Sequence, residues 1–432
     1  MSFPTSHLYS SILTTLLLIL PVAILLPLVL SYFFSPLRHI PGPTSTLLSP
    51  LPLIYQEFTR NRRAYIHFLH KAYGPVVRIS PNEVSFTSVS ALREIYTSEG
   101  AGWDKTEFYD LFRQFGERTM FSTLRKADHA RKKRHIAGQY ANTNIMRPEI
   151  ASGIERLVDK FVERCEEEKG SSIDVYVYLH CFALDAASHF LFHPYGTNSL
   201  ASADGRKIME ELSYHDSLRL HLAFYYVPLF RRFAIWFANL IEARNSPLAN
   251  GYVLSTCKRP DPGESSLLYK LQRSKDNFSQ QAVAAECMDH MAAGIDTTGD
   301  ALCFIMYQLS LPESHHVQEN LSKELSENSD KALDDLEYLD AVVKEGLRCF
   351  MPIPMSQPRY VPTGGRTIDG YNIPRGTIVS CQAYSVHRLN EDVYPNGEMF
   401  YPERWLEKDK SQEMNRLFFA FGAGARGCTG RQ

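Results

Sequence analysis

Hydrophobic and polar positions change period several times along the chain, and each change marks an element. Leu8 to Phe34 holds no charged residue and is dominated by Leu and Ile, a run long enough for a helix to cross a bilayer despite Pro21 and Pro27. Pro41-Gly42-Pro43 then stops any helix and stiffens the exit. Arg60 to Ala72 is amphipathic. Val76 to Ile79 and Glu83 to Phe86 are β-prone runs either side of Ser80-Pro81-Asn82, the pattern of a hairpin. Gly100 to Ser122 mixes aromatic residues, charges and glycines without a clean period. Helical patterns run from Ile150 to Glu168, closed by Lys169-Gly170-Ser171-Ser172, and again up to Phe192. Leu220 to Asn239 is dense in aromatic side chains, among them Phe224, Tyr225, Tyr226, Phe230, Phe233 and Trp236, and a bulky aromatic stripe most simply reads as core. A long helical pattern covers about Ser279 to Ser310 and ends before Pro312. Another covers Leu336 to Phe350, stopped by Pro352, Pro354 and Pro358, and Ile368 to Val379 reads as strands punctuated by Gly370 and Gly376. The expected fold class is therefore mainly α with a small β region, an α+β arrangement.

Composition alters this picture little. A chain of 432 residues, 44% hydrophobic with a formal net charge of −2, is ordinary for a globular protein and gives no sign of a nucleic-acid partner. The eight cysteines stand without C-x-x-C pairs or histidines at zinc spacing, which argues for a reducing compartment and against a disulfide scaffold or zinc site. Charge is informative at the N-terminus. Met1 to His7 has no Lys or Arg, whereas a cleaved signal peptide would want a basic start. The first basic residue is Arg38, followed by Arg60, Arg62, Arg63 and Lys71. The positive-inside rule then puts the N-terminus outside and the main domain in the cytosol.

Three stretches carry candidate chemistry. Phe421 to Gly430 places four glycines around Cys428, a composition that suits neither helix nor strand and fits a tight loop. Such a loop can aim successive backbone N–H groups at the sulfur and favour a thiolate able to bind a soft metal; the plain alternative is a small buried Cys beside a turn. Ala293-Gly294-Ile295-Asp296-Thr297-Thr298 lies inside the long helical pattern. A mid-helix glycine costs about 1 kcal/mol relative to alanine, and paired threonines restrict rotamers further. Thr297 can turn its hydroxyl back to the carbonyl of Ala293 and open a groove, Gly294 would leave room there for a diatomic ligand, and Asp296 with Thr297 forms an acid–alcohol pair able to relay protons. Glu345 and Arg348 stand at i,i+3, a spacing that ordinarily gives a surface ion pair.

Phe421-x-x-Gly424-x-Arg426-x-Cys428-x-Gly430 resembles the haem-binding loop of the cytochrome P-450 family of haem-thiolate monooxygenases. The resemblance makes Cys428 the axial iron ligand, pairs Arg426 with a haem propionate, and packs Phe421 beside the thiolate, with Gly424 and Gly430 shaping the loop. The helix motif around Asp296 and Thr297 matches the family's oxygen-activation motif. Glu345, Arg348 and Arg404 of Tyr401-Pro402-Glu403-Arg404-Trp405 match a structural triad bracing the haem side, and Arg359 a second propionate contact. His129 and Lys133, within His129-Ala130-Arg131-Lys132-Lys133-Arg134, stand where the family has W-x-x-x-R reaching the propionates; lysine offers a point charge where arginine offers a fork. Pro41-Gly42-Pro43 looks like the hinge after the anchor of microsomal members, and Leu220 to Asn239 like the segment that covers the substrate cavity beside the bilayer.

The expectation is thus a membrane anchor over residues 1–36 and a haem-thiolate domain over residues 37–432, single-pass in the endoplasmic reticulum membrane, monomeric, with the catalytic domain facing the cytosol. The resemblance implies heme b with axial Cys thiolate as cofactor and a flavoprotein reductase passing electrons from NADPH. It also implies O2 and an apolar small-molecule substrate, and an impression of filamentous-fungal character points to secondary-metabolite biosynthesis. Family members continue past the cysteine loop into a helix and a small sheet, whereas Thr429 to Gln432 are the residues that remain here. Two rival expectations follow: a truncated, catalytically inactive remnant, and a membrane-bound interaction protein.

Overall fold

The computed structural model describes residues 25–98, 102–214, 222–223, 225–227, 247–274 and 278–431, with the single positions 19 and 23. Most of the apolar run from Leu8, and Phe224, Phe230, Phe233 and Trp236 of the aromatic segment, lie outside the described residues.

Helices dominate. In chain order the longer ones are α1 (Leu51–Phe58), α2 (Arg62–Tyr73), α3 (Val89–Thr97), α4 (Lys126–Ile136), α5 (Pro148–Glu167), α6 (Val175–Phe192), α7 (Ala203–Ser213), α8 (Pro247–Thr256), α9 (Gln280–Ser310), α10 (His315–Glu327), α11 (Glu337–Cys349), α12 (Ala383–Leu389) and α13 (Lys408–Leu417). Their ends follow local chemistry. Pro148 opens α5, its missing N–H being one that a first turn leaves unpaired anyway, and Gly170 at φ +97° lies just past its end. Ser279 caps α9 by accepting from the Ala282 N–H at 3.1 Å, and Asp174 caps α6 through the N–H groups of Tyr176 and Val177.

The β region is small. The hairpin expected around Ser80-Pro81-Asn82 is present as β1 (Val76–Ser80) and β2 (Glu83–Phe86), antiparallel with Val77 opposite Ser85. The later strands are β3 (Arg359–Tyr360), β4 (Arg366–Ile368), β5 (Tyr371–Ile373) and β6 (Ile378–Cys381). β6 adds parallel to β2 and antiparallel to β3, giving the order β1-β2-β6-β3, while β4 and β5 pair separately. Gly370 and Gly376 take positive φ at the turns beside these strands.

Among the described residues two large apolar cores form, with two smaller clusters around Ile66 and Val342. One lies under the sheet and joins Val84, Phe86, Ile95, Tyr96, Val379, Tyr394, Trp405 and Phe419. The other lies among the helices and joins Leu184, Phe192, Met209, Val253, Met291 and Ile295. The cysteine loop grows out of the first core, and α9 runs through the second.

Among the described residues, α6 is the one helix both long and apolar enough to cross a membrane, but it packs along α9 and α5 with Leu184, Leu191 and Phe192 buried, as a core helix does. Leu25–Phe34 is a shorter apolar helix whose Leu25, Leu26, Phe33 and Phe34 are exposed. The strap that follows is tied down by one buried side chain: the Arg78 guanidinium donates to the carbonyls of Leu37 (3.1 Å), Ile40 (2.7 Å), Gly42 (3.2 Å) and Pro43 (3.0 Å).

Candidate functional site

The cysteine loop is held by its own backbone and by a tyrosine beneath it. The Cys428 N–H donates to the Phe421 carbonyl at 2.8 Å, Gly427 to Gly424 at 3.0 Å, and Gly422 to Phe419 at 3.1 Å. Gly422 and Gly424 both take φ near +67°, and a Cβ on Gly424 would stand 2.0 Å from the Tyr96 carbonyl oxygen. That position therefore excludes every side chain. The tyrosine is itself fixed, its hydroxyl donating to the Gln357 carbonyl (2.7 Å) and accepting from the Cys381 N–H (2.8 Å) while its ring lies 4.9 Å from that of Phe419.

The Cys428 thiol is exposed. Burial of its surroundings pushes the thiol pKa up, with the Gly430 N–H and the Lys133 ammonium acting in the opposite direction. Sequence reasoning expected several N–H groups aimed at the sulfur. Here the amides of Cys428 and Gly427 are used to close the turn, which leaves Gly430 as the amide that reaches it among the described residues.

Around this loop the fold gathers cations. The Arg426 side chain is buried, its Nη2 donates to the Leu124 carbonyl at 2.7 Å, and Asp104 stands 3.6 Å away. Its Nε and Nη1 are buried without a hydrogen-bond acceptor among the described residues. Burial and the neighbouring Arg359 bring its pKa down to about 10. Arg359 is buried and donates from Nη1 to the Tyr109 hydroxyl and the Pro358 carbonyl, both at 2.8 Å. Burial, then Arg426, Lys105, Lys133 and Arg359, push His129 down to about 3. Lys133 donates to the Ala425 carbonyl at 2.8 Å. Together with Lys126, Ala130 and Arg134, the residues His129, Lys133 and Arg426 line a cleft of about 250 Å³ between α4 and the loop.

Lys105 belongs to the same group and was not visible from the sequence, since a single lysine between Asp104 and Thr106 carries no spacing signal. It is buried, donates to the Phe121 carbonyl at 2.5 Å, and is held well below the usual ammonium range by burial, Arg359 and Arg426. So many cations, with buried guanidinium donors left over, form a cradle for a multiply charged anion. The two carboxylates of a haem fit that requirement, with Cys428 on the same loop as sulfur donor.

Helix α9 supplies the second group. The Thr297 hydroxyl donates to the Ala293 carbonyl at 2.6 Å, the back-bond expected from the sequence. Asp296 accepts from the Ser213 hydroxyl at 2.8 Å, which ties α9 to the end of α7. A Cβ on Gly294 would meet Ala187 at 2.9 Å, and one on Gly299 would meet the His180 ring at 2.8 Å. Both glycines face α6 and allow the two helices to approach closely. The cysteine loop and α9 are joined through Tyr140: its hydroxyl and His290 Nδ1 on α9 share a hydrogen bond of 2.5 Å, and its turn, Ala137–Tyr140, packs against Thr429–Arg431.

Glu345, Arg348 and Arg404 converge in the interior. Arg348 grips Glu345 with two bonds of 2.8 Å, and Arg404 Nε reaches the same carboxylate at 3.0 Å. The Trp405 indole and the Tyr401 N–H complete it, each at 2.9 Å. Burial alone would raise the Glu345 carboxyl, but the hydrogen bonds and charge of Arg348, with Arg404, hold it below its ordinary value. Arg348 also donates to the carbonyls of His387, Gly397 and Met399.

Comparison with known proteins gives this geometry a context. A family model described as Cytochrome P450 matches residues 41–432. The chain is similar to the Cytochrome P450 monooxygenase orf2 of Aspergillus niger, 29% identical over 92% of this chain and 82% of that protein. It is also similar to the Cytochrome P450 monooxygenase stcB of Emericella nidulans, 29% identical over 92% and 79% respectively. The Benzoate 4-monooxygenase bphA of Aspergillus niger is 27% identical over 94% of this chain and 87% of its own length.

Proposed function

Since the chain belongs to the cytochrome P450 family, we propose that it is a haem-thiolate monooxygenase that inserts one oxygen atom of O2 into an apolar small molecule. Cys428 would hold the haem through its sulfur, and Arg426, Arg359, Lys133 and His129, joined by Lys105, would receive the carboxylates. When bound, the haem would supply the oxidising chemistry, thiolate ligation favouring O–O cleavage. The residues of this chain do the rest. Because Thr297 gives its hydroxyl proton to the Ala293 carbonyl, its oxygen keeps lone pairs free to accept a proton donor in the groove. Asp296, which accepts from Ser213, is the carboxylate next in the chain that would take up and pass on protons reaching the groove. Glu345, Arg348 and Arg404 keep the chain beneath the loop rigid.

We further propose that residues 1–36 anchor residues 37–432 to the endoplasmic reticulum membrane on its cytosolic side, where a flavoprotein reductase would deliver electrons from NADPH. The exposed apolar face of Leu25–Phe34 ahead of Arg38 supports the anchor. Fungal relatives support a small-molecule substrate, and secondary metabolism remains the proposed setting.

The observation that carries this reading is the buried cation cradle beside Cys428, with two guanidinium nitrogens of Arg426 lacking an acceptor among the described residues. The test is the spectrum of the purified full chain, reduced and treated with carbon monoxide. A red-shifted thiolate band that Cys428→Ser abolishes is expected; wild-type protein without that band overturns the proposal.

A further inference from the structure

His387 lies in α12, outside every motif named above, yet it is fully buried and touches both halves of the machinery. Its Nε2 accepts from the Phe419 N–H at 2.8 Å, and its Nδ1 lies 3.3 Å from the Arg348 carbonyl. An amide can only donate and a carbonyl can only accept, so the tautomer that satisfies these two partners carries its proton on Nδ1 and leaves Nε2 bare, with the Leu417 carbonyl also beside the ring. The backbone carbonyl of the same residue accepts from Arg348 Nη1 at 2.9 Å. The ring is clamped between Phe418, stacked at 5.6 Å, and Tyr394, edge-on at 5.9 Å. Phe419 in turn closes the first turn of the cysteine loop by accepting from Gly422, two residues before the positive-φ Gly424.

We infer that His387, as the neutral Nδ1–H tautomer, is a positioning residue that transmits the rigid geometry of the Glu345–Arg348 pair to the cysteine loop. The inference rests on the proposed haem-thiolate reading of Cys428. What it adds is the route by which a buried ion pair sets the loop: Arg348 carbonyl to imidazole, imidazole to the Phe419 amide, and Phe419 carbonyl to the Gly422 turn.

The two ring nitrogens can be tested apart. His387→Gln brings an acceptor near the place of Nε2, His387→Asn reaches only the nearer position, and His387→Phe keeps the stacked ring without either nitrogen. Two quantities are read in the full chain: hydrogen–deuterium exchange of the Phe419 amide, and the fraction of bound haem that shows the thiolate-type carbon monoxide band. The expected result is that Asn and Phe raise the exchange rate of that amide at least tenfold and lower the thiolate fraction at least twofold, with Gln restoring both toward wild type. Should Phe fail to fold, the Asn and Gln pair decides. Variants that lower the melting temperature alone, leaving amide exchange and thiolate fraction at wild-type values, overturn the inference while the function stands. A wild-type chain without the thiolate band overturns both.

Discussion

Arg426 shows what a single side chain reveals here. Leaving a buried polar group unsatisfied costs roughly 1–3 kcal/mol, and two buried nitrogens of Arg426 lack an acceptor among the described residues. Arg426→Met is therefore expected to leave the haem-free chain as stable or more stable, while lowering haem content per protein; equal haem content in the two proteins would refute the cradle. Histidines set the acid side of stability. Burial holds His70 and His290 near pKa 4, and His129 and His387 near 3. Unfolded, each takes a proton near pH 6.5, so stability present above that pH is lost as pH falls toward the folded values. Asp289 works the other way, because burial and Glu286 raise it to about 7 and the folded state then binds the extra proton. His67 and His189 are lowered in the same way, while His180, Glu83 and Glu286 are raised and act with Asp289, so between pH 6.5 and 5 the lowered histidines outnumber the groups that gain a proton in the fold. The unfolding free energy from urea titration should therefore fall as pH drops through that window, and a flat profile would contradict the neutral buried histidines.

At the scale of one element, α9 was legible in its extent and cap, because a 3.6-residue period, a capping serine and a terminal proline are all local signals. The Thr297 back-bond was legible for the same reason, since both partners lie one turn apart. The close approach of Gly294 to α6 was not. Its partner Ala187 is on α6, over a hundred positions earlier, and a chain read in order has no signal for that contact. Gly294→Ala sets two effects against each other: about 1 kcal/mol gained in helix propensity and roughly 1–3 kcal/mol lost to overpacking against Ala187. With a Cβ contact of 2.9 Å, overpacking should win, and a denaturant midpoint above wild type would show that the helices can part.

For the whole molecule, the deciding feature is that segments far apart in sequence share buried charge. Glu345 satisfies Arg348, Arg404 and the indole of Trp405 together. Removing one partner of such a group leaves uncompensated cations, so Glu345→Gln should cost about 3–5 kcal/mol in urea unfolding. A cost under 1 kcal/mol would mean the site is wetter than its burial indicates. Arg78 performs a similar task at the other end, joining β1 to the strap from Leu37 to Pro43. Arg78→Met should speed limited proteolysis near Arg38 severalfold with the catalytic core intact, and unchanged cleavage would remove the strap from the account.

Periodicity, turn residues and local spacing were enough to determine the helical character of this chain, its hairpin, the glycine-rich cysteine loop and the Glu345–Arg348 pair, because each depends on neighbours within a turn or two. Tertiary structure alone added Lys105 to the cations that meet beside Cys428. Lys105, Arg359 and Arg426 come from the stretch after Asp104, a strand and the cysteine loop, and nothing local records that burial presses them together with donors to spare. It likewise decided that His387 has one tautomer and Gly294 one neighbour, since both follow from contacts that exist only when distant segments are packed and water is gone.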